Sequence, residues 1–192
     1  MKSPWNSVTR NMIAALRETG QWDRTFVIFT SDHGLALGSH GLLGKQNMFD
    51  HTVRVPCVVR GPGVPEGARR EGQAYLRDLV ATILDYCGVS APPRLDSVSL
   101  RNLIAGSVAE VHPFVVGYYL DQSRMIRTSR WKLCVYPRRG ARQLFDLAND
   151  PDELQDRSGD PAQAGRVKEL ETQLAGWIKL HGEPRAGGAG GG

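Results

Sequence analysis

The chain has no run of apolar residues near the ~20 that a membrane-spanning helix needs. Its opening stretch, Met1-Lys2-Ser3-Pro4-Trp5-Asn6, carries no apolar core behind the lysine, so it does not read as a signal peptide. Compartment is left open. Cysteine is scarce: Cys57, Cys87 and Cys134 make three, widely spaced. An odd number at such spacing builds neither a disulfide framework nor a zinc knuckle. Each lies in an apolar stretch and reads as a buried free thiol. Aromatic residues are only 7% of the chain, and none interleaves with Arg69-Arg70 or with Arg138, Arg139 and Arg142 as a base-stacking platform requires. The net charge of +4 therefore reads as solvated basic faces, and neither a nucleic-acid nor a membrane partner is expected. There is no internal repeat.

What is present is an ordinary globular composition: 192 residues, 41% apolar and 23% charged. That length suits one domain, or a domain with a small lobe. Val8, Met12, Ala15, Leu16 and Thr19 recur at helical spacing over 7–19, and Gly20 stops the run. Residues 25–31 are β-branched or apolar at nearly every position, which predicts a strand buried on both faces, as in a parallel sheet. Four glycines between Gly34 and Gly44 mark a loop. Residues 53–59 return to strand, with Pro56 favouring an edge or a break. Leu76, Leu79, Val80, Ile83, Leu84 and Cys87 predict a helix over 75–87, closed by Gly88. Ser90 to Pro93 is a linker.

Beyond it, Phe114–Tyr119, Met125–Thr128, Trp131–Tyr136 and Gln143–Leu147 read as short strands of an antiparallel meander. Val167, Leu170, Leu174, Trp177 and Ile178 stripe a last helix over 162–180. The Gly/Ala-rich tail from 184 to 192 is expected to be disordered. The chain thus reads as α/β: residues 1–105 as the C-terminal portion of a mixed, mostly parallel sheet domain flanked by helices, then 106–183 as a small antiparallel sheet with a C-terminal helix.

The sharpest chemical feature is Ser31-Asp32-His33-Gly34, directly after the first strand. Ligands of open α/β sheets bind outside the carboxyl ends of the strands. A carboxylate beside an imidazole suits a divalent metal, and Gly34 lets the chain turn away. The same residues equally suit a capping aspartate that opens a loop, followed by an exposed histidine. Gly44-Lys45 puts an ammonium in a glycine-rich loop, where it could meet an anionic oxygen or simply lie on the surface. It is not a phosphate-binding P-loop: Gln46 follows the lysine, and the interval from Gly38 to Gly44 is one residue too long. His40 is a further polar candidate, or merely a loop residue.

Taken in order, Thr25-Phe26-Val27-Ile28-Phe29-Thr30-Ser31-Asp32-His33-Gly34, Leu37-Gly38-Ser39-His40-Gly41-Leu42-Leu43-Gly44-Lys45-Gln46, Arg54-Val55-Pro56 and Arg60-Gly61-Pro62-Gly63 are very similar to the type I sulfatases of the alkaline phosphatase-like superfamily. Leu16 to Gly20 resembles the helix before the site strand. Arg124 to Thr128, Trp131-Lys132-Leu133 and Leu144 to Leu154 resemble the small C-terminal sheet.

The resemblance implies that Asp32 and His33 are metal ligands, usually for calcium, and that Lys45 binds a sulfate oxygen. His33 also suits Zn2+ or Mn2+, because calcium prefers oxygen donors. Ser39 stands where many such proteins carry glutamate. The implied reaction is metal-dependent hydrolysis of a small-molecule or carbohydrate sulfate ester. A phosphodiester or phosphonate monoester hydrolase of the same superfamily, or a non-catalytic remnant, remains an alternative.

The family's nucleophile is a formylglycine made within C/S-x-P-x-R, upstream of the Asp-His strand. Residues 1–31 hold no such motif. Cys134-Val135-Tyr136-Pro137-Arg138 has its proline one place late and falls on a predicted strand, so Cys134 reads as core. The resemblance therefore implies that the nucleophile would come from a separate N-terminal sulfatase segment, and that the isolated chain is inactive.

Overall fold

The computed structural model describes residues 4–182, with side chains from Ser7 onward. The tail from 184 to 192 lies outside the described residues. The chain divides into two compact units, one of residues 1–31 and 56–69, the other of 32–55 and 70–192.

In the first unit, helix α1 (Pro4–Glu18) ends at Gly20, whose φ of 67° is the left-handed conformation that closes helices. Strands β1 (Val27–Thr30) and β2 (Cys57–Arg60) pair antiparallel, Val27 opposite Arg60 and Thr30 opposite Cys57. The chain bends at Gly61, where a Cβ would sit 2.8 Å from the Phe26 Cα. The Arg60 guanidinium stacks 4.1 Å from the Trp22 ring centre, donates to the Trp22 carbonyl and pairs with Asp23 at 2.7 Å.

Two expectations are corrected here. The 25–31 strand is not buried on both faces: Phe29 is 55% exposed and its register partner Val58 61%. Burial on both faces needs flanking strands and helices, and β1 pairs only with β2 among the described residues. Nor does strand begin at residue 53. Asp50–Val53 form a helical turn, α2, and β2 starts only after Pro56, which lacks the N–H a ladder would use.

The second unit is built on a four-stranded antiparallel meander: β3 (Val115–Tyr119), β4 (Ser123–Arg127), β5 (Trp131–Tyr136) and β6 (Ala141–Asp146), in that order. Side chains alternate between its faces. Ile126, Leu133 and Leu144 point to one side and pack under Val167, Leu170 and Leu174 of helix α5 (Ala164–His181). Met125, Cys134 and Phe145 point to the other and pack under Met48 and Phe49. The sheet is thus covered on both faces, by a helix and by the segment leading into α2. The α5 stripe falls where the sequence spacing puts it.

Helix α3 (Asp78–Tyr86) turns a different face inward from the one expected. Asp78, Ala81 and Thr82 are buried, while Leu76, Val80 and Ile83 are exposed. Hydrogen bonding decides this. The Asp78 carboxylate accepts from the Tyr75 and Val98 amides and faces the His112 imidazole at 2.8 Å. The Thr82 hydroxyl donates to the Asp78 carbonyl and accepts from the Leu100 amide. These bonds tie α3 to 98–112, through a short helix α4 (Arg101–Ala105), and the polar face is buried because every group on it has a partner. The thiols also depart from expectation. Cys57 and Cys87 are exposed, one on the edge of a thin ribbon and one at a helix end. Cys134 is core, and burial pushes its thiol up to about 12.

Asp146 gives a pH test of the small sheet. The Arg130 guanidinium holds its carboxyl down to about 2, with Asn149 also donating to it. A carboxyl depressed in the folded state contributes stability that is present above its unfolded value, about 4, and is lost as pH falls toward about 2. Urea titrations from pH 5 to pH 2 should show this loss, and Asp146→Asn should flatten that part of the profile.

Candidate functional site

The site is assembled on the loop after β1. Asp32 follows the strand by two residues and its side chain is 82% exposed. Its Oδ1 accepts from the His33 amide at 2.9 Å, folding the carboxylate back over the next residue, and Oδ2 lies 3.3 Å from His33 Nε2. His33 Nδ1 lies 2.9 Å from the Gly34 carbonyl oxygen, and Lys45 Nζ lies 2.6 Å from Nε2. A carbonyl only accepts, which suits a proton on Nδ1, while Nε2 faces both the Lys45 ammonium and Asp32 Oδ2. The structure therefore brings Asp32, His33 and Lys45 together: a carboxylate, an imidazole and an ammonium in one cluster.

Two backbone bonds shape the loop that does this. The Gly34 amide donates to the Thr52 carbonyl of α2 at 2.8 Å, and the Ala36 amide donates to the Gly44 carbonyl at 3.1 Å. Gly34 packs so tightly on α2 that a Cβ would collide with the His51 carbonyl.

His40 is not part of this group. Its ring stacks on Phe49 with centroids 3.9 Å apart, and its Nε2 lies 3.0 Å from the Glu153 carbonyl oxygen. With Ser39, Asp50, His51 and Glu153 it lines a separate pocket of about 300 Å3. Burial and the neighbouring His40 lower the His51 pKa. His40 and Glu153 both have left-handed backbones, φ 55° and 57°, uncommon outside glycine.

Behind the pocket lies a charge network that sequence reasoning did not single out. Lys132 of β5 is fully buried. Its ammonium donates to the Met48 carbonyl at 2.9 Å and to Asp50 Oδ1, and forms an ion pair with Glu153 Oε1 at 2.7 Å. Arg127 reaches both Asp50 oxygens at 3.2 Å. The Asp50 amide donates to Glu153 Oε2. Burial would raise the Asp50 carboxyl, but Lys132 and Arg127 outweigh it and hold the group below the usual carboxylate range. The available signal was a lysine inside the otherwise apolar run Trp131-Lys132-Leu133-Cys134-Val135.

Asp32 and His33 offer the donor types a divalent metal takes. They are two, however, and no group of three His, Cys, Asp or Glu arranged to hold a metal occurs among the described residues. Calcium takes 6–8 oxygens and zinc four ligands. The described residues do not by themselves make a metal centre.

Residues 38–179 match the family model described as the C-terminal part of N-sulphoglucosamine sulphohydrolase. The chain belongs to the type I sulfatase family of the alkaline phosphatase-like superfamily and corresponds to its C-terminal part. It is 36% identical over 157 residues to a choline-sulfatase of Rhizobium meliloti, covering 78% of this chain and 30% of that protein.

Among solved structures, it is similar to a protein bound to its substrate D-glucosamine-2-N,6-O-disulfate: TM-score 0.83, 25% identity, 91% of this chain and 38% of the other. It is similar also to a phosphonate monoester hydrolase of Silicibacter pomeroyi: TM-score 0.78, 27% identity, 92% and 38%. The chain spans about a third of the length of the curated relatives it matches. No described helix is long and apolar enough to cross a membrane.

The Gly34 contact gives a direct test. Gly34→Ala must push α2 away from the loop, an overpacking change expected to cost about 1–3 kcal/mol in chemical denaturation. Gly159→Ala, where nothing lies near the added carbon, should fall within about 0.5 kcal/mol of the parent.

Proposed function

We infer that this chain supplies the sulfate-binding side of a sulfatase active site, within an enzyme that hydrolyses small-molecule or carbohydrate sulfate esters. One observation carries the reading: Lys45 Nζ lies 2.6 Å from His33 Nε2, with the Asp32 carboxylate alongside. A sulfate ester bears its charge on oxygens, and hydrolysis needs that charge neutralised and the group held in place. Lys45 is a compact positive charge on a flexible stem, suited to one such oxygen. Asp32 and His33 are suited to complete a divalent metal site whose other ligands come from elsewhere, with calcium expected first and Zn2+ or Mn2+ as alternatives. The metal would supply charge neutralisation.

None of Asp32, His33 and Lys45 is a nucleophile toward sulfur on this reading. The attacking group, a formylglycine in relatives of this family, would come from a segment carrying C/S-x-P-x-R, and such a segment is the partner we propose. The choline-sulfatase and the disulfate complex support a sulfate ester as substrate class. The likeness to a phosphonate monoester hydrolase favours a second reading, in which the same charges meet a phosphonate or phosphodiester.

Alone, the chain is expected not to turn over an activated aryl sulfate with calcium, zinc or manganese added. Metal-dependent turnover lost in Lys45→Ala would overturn that expectation. Titration calorimetry should find no tight, stoichiometric calcium site in the isolated chain, because two donors are too few. Adding a polypeptide that carries C-x-P-x-R and the remaining ligands should generate sulfate ester hydrolysis. Lys45→Ala should then reduce it by about 10²-fold or more. Hydrolysis indifferent to Lys45 would refute the role given to it.

A further inference from the structure

We propose that Lys132 is a positioning residue: its buried ammonium fixes the segment 48–52, and that segment sets where His33 and Lys45 stand. The roles of His33 and Lys45 rest on the function proposed above; the positioning itself does not.

The geometry runs in short steps, all within one unit of the chain. The Lys132 ammonium donates to the Met48 carbonyl and to Asp50, and pairs with the Glu153 carboxylate at 2.7 Å. Both hydrogen-bond acceptors belong to the 48–50 segment. Glu153 closes the arrangement by accepting from the Asp50 amide, and Arg127 holds the Asp50 carboxylate from a second direction. Two cations and two carboxylates balance, so each buried charge has a partner.

From there the segment reaches the site twice. Thr52, two residues after Asp50, presents its carbonyl to the Gly34 amide at 2.8 Å, and Gly34 sits against the His51 carbonyl with no room for a side chain. The Gly34 carbonyl in turn faces His33 Nδ1 at 2.9 Å. In the other direction Met48 lies three residues from Lys45, and the Ala36–Gly44 bond closes the loop between His33 and Lys45.

The apolar contacts of this segment, Met48 and Phe49 on Met125, Cys134 and Phe145, are non-directional and would let it shift along the sheet. The two hydrogen bonds and the ion pair of Lys132 are directional and fix its placement. A sulfate-binding lysine is useful only if it stands within hydrogen-bond reach of the oxygen it neutralises, and small displacements are expensive.

The test is residue-resolved amide hydrogen exchange on the full chain, which needs neither substrate nor metal. In Lys132→Met, the Gly34 and Ala36 amides should exchange about tenfold faster or more. The amides of Leu144 and Leu170, in the sheet core and α5, should stay within about threefold of the parent. A uniform rise across the unit would make Lys132 a stability element only and overturn the proposal. Unchanged exchange at Gly34 would overturn it as well.

Asp50→Asn, which keeps the shape and removes one charge, should give the same local pattern in weaker form, and it decides the matter should Lys132→Met not fold. In the reconstituted enzyme described above, Asp50→Asn should lower turnover while Lys168→Ala, exposed on α5, leaves it unchanged. If exchange changes locally but no sulfate ester is ever hydrolysed, the positioning stands and the sulfatase reading falls.

Discussion

An ammonium that has lost its water must find polar and charged partners inside the protein, and the second face of the small sheet is organised around that requirement. Lys132 sits among Met125, Cys134 and Phe145, where apolar side chains alone would pack well. Removing one partner from a buried ion pair typically costs about 3–5 kcal/mol, because the other is stranded. The acceptors therefore cannot drift. Met48, Asp50 and Glu153 come from two separate stretches of chain, and the lysine holds both against β5. Replacing such a network with well-packed apolar groups is often neutral for stability. What the charges add here is direction: one register of the 48–52 segment satisfies them, and that register is the one that places the Thr52 carbonyl under Gly34.

Much of the fold was legible in the sequence because it depends on periodicity. Val167, Leu170 and Leu174 are a helical stripe whatever they face, and the four short runs between 114 and 147 could pair locally without long loops. The α/β class and the meander followed from that. The misreadings share one cause: partners that local pattern does not specify. Apolarity at 25–31 signalled burial on both faces, but burial depends on what lies alongside, and β1 is paired with β2 alone among the described residues. In α3 the apolar stripe was real, yet Asp78 and Thr82 won the inward position through bonds to residues 98, 100 and 112, 18 to 34 positions away.

The candidate site divides in the same way. Asp32, His33 and Lys45 stood out because glycines surround them and a strand precedes them. Lys132, Asp50 and Glu153 did not. A lysine is assumed to be at the surface, and only the unbroken apolar run around it hinted otherwise. Asp50 and Glu153 lie 103 residues apart, so nothing local announces that the Asp50 amide donates to the Glu153 carboxylate. His40 was legible as a polar loop residue, but its stacking on Phe49 and its bond to the Glu153 backbone belong to the network and its pocket rather than to the His33 group.

The contact between Lys45 and His33 bears on how such a site would work when complete. On the proposed reading Asp32 and His33 would help hold a divalent metal that supplies charge neutralisation, and Lys45, a compact charge on a flexible stem beside them, would meet an anionic oxygen of the substrate. The backbone beneath these side chains is held independently of any ligand, because Lys132 is bonded to Met48 and Asp50, and the Thr52 carbonyl two residues on accepts from the Gly34 amide.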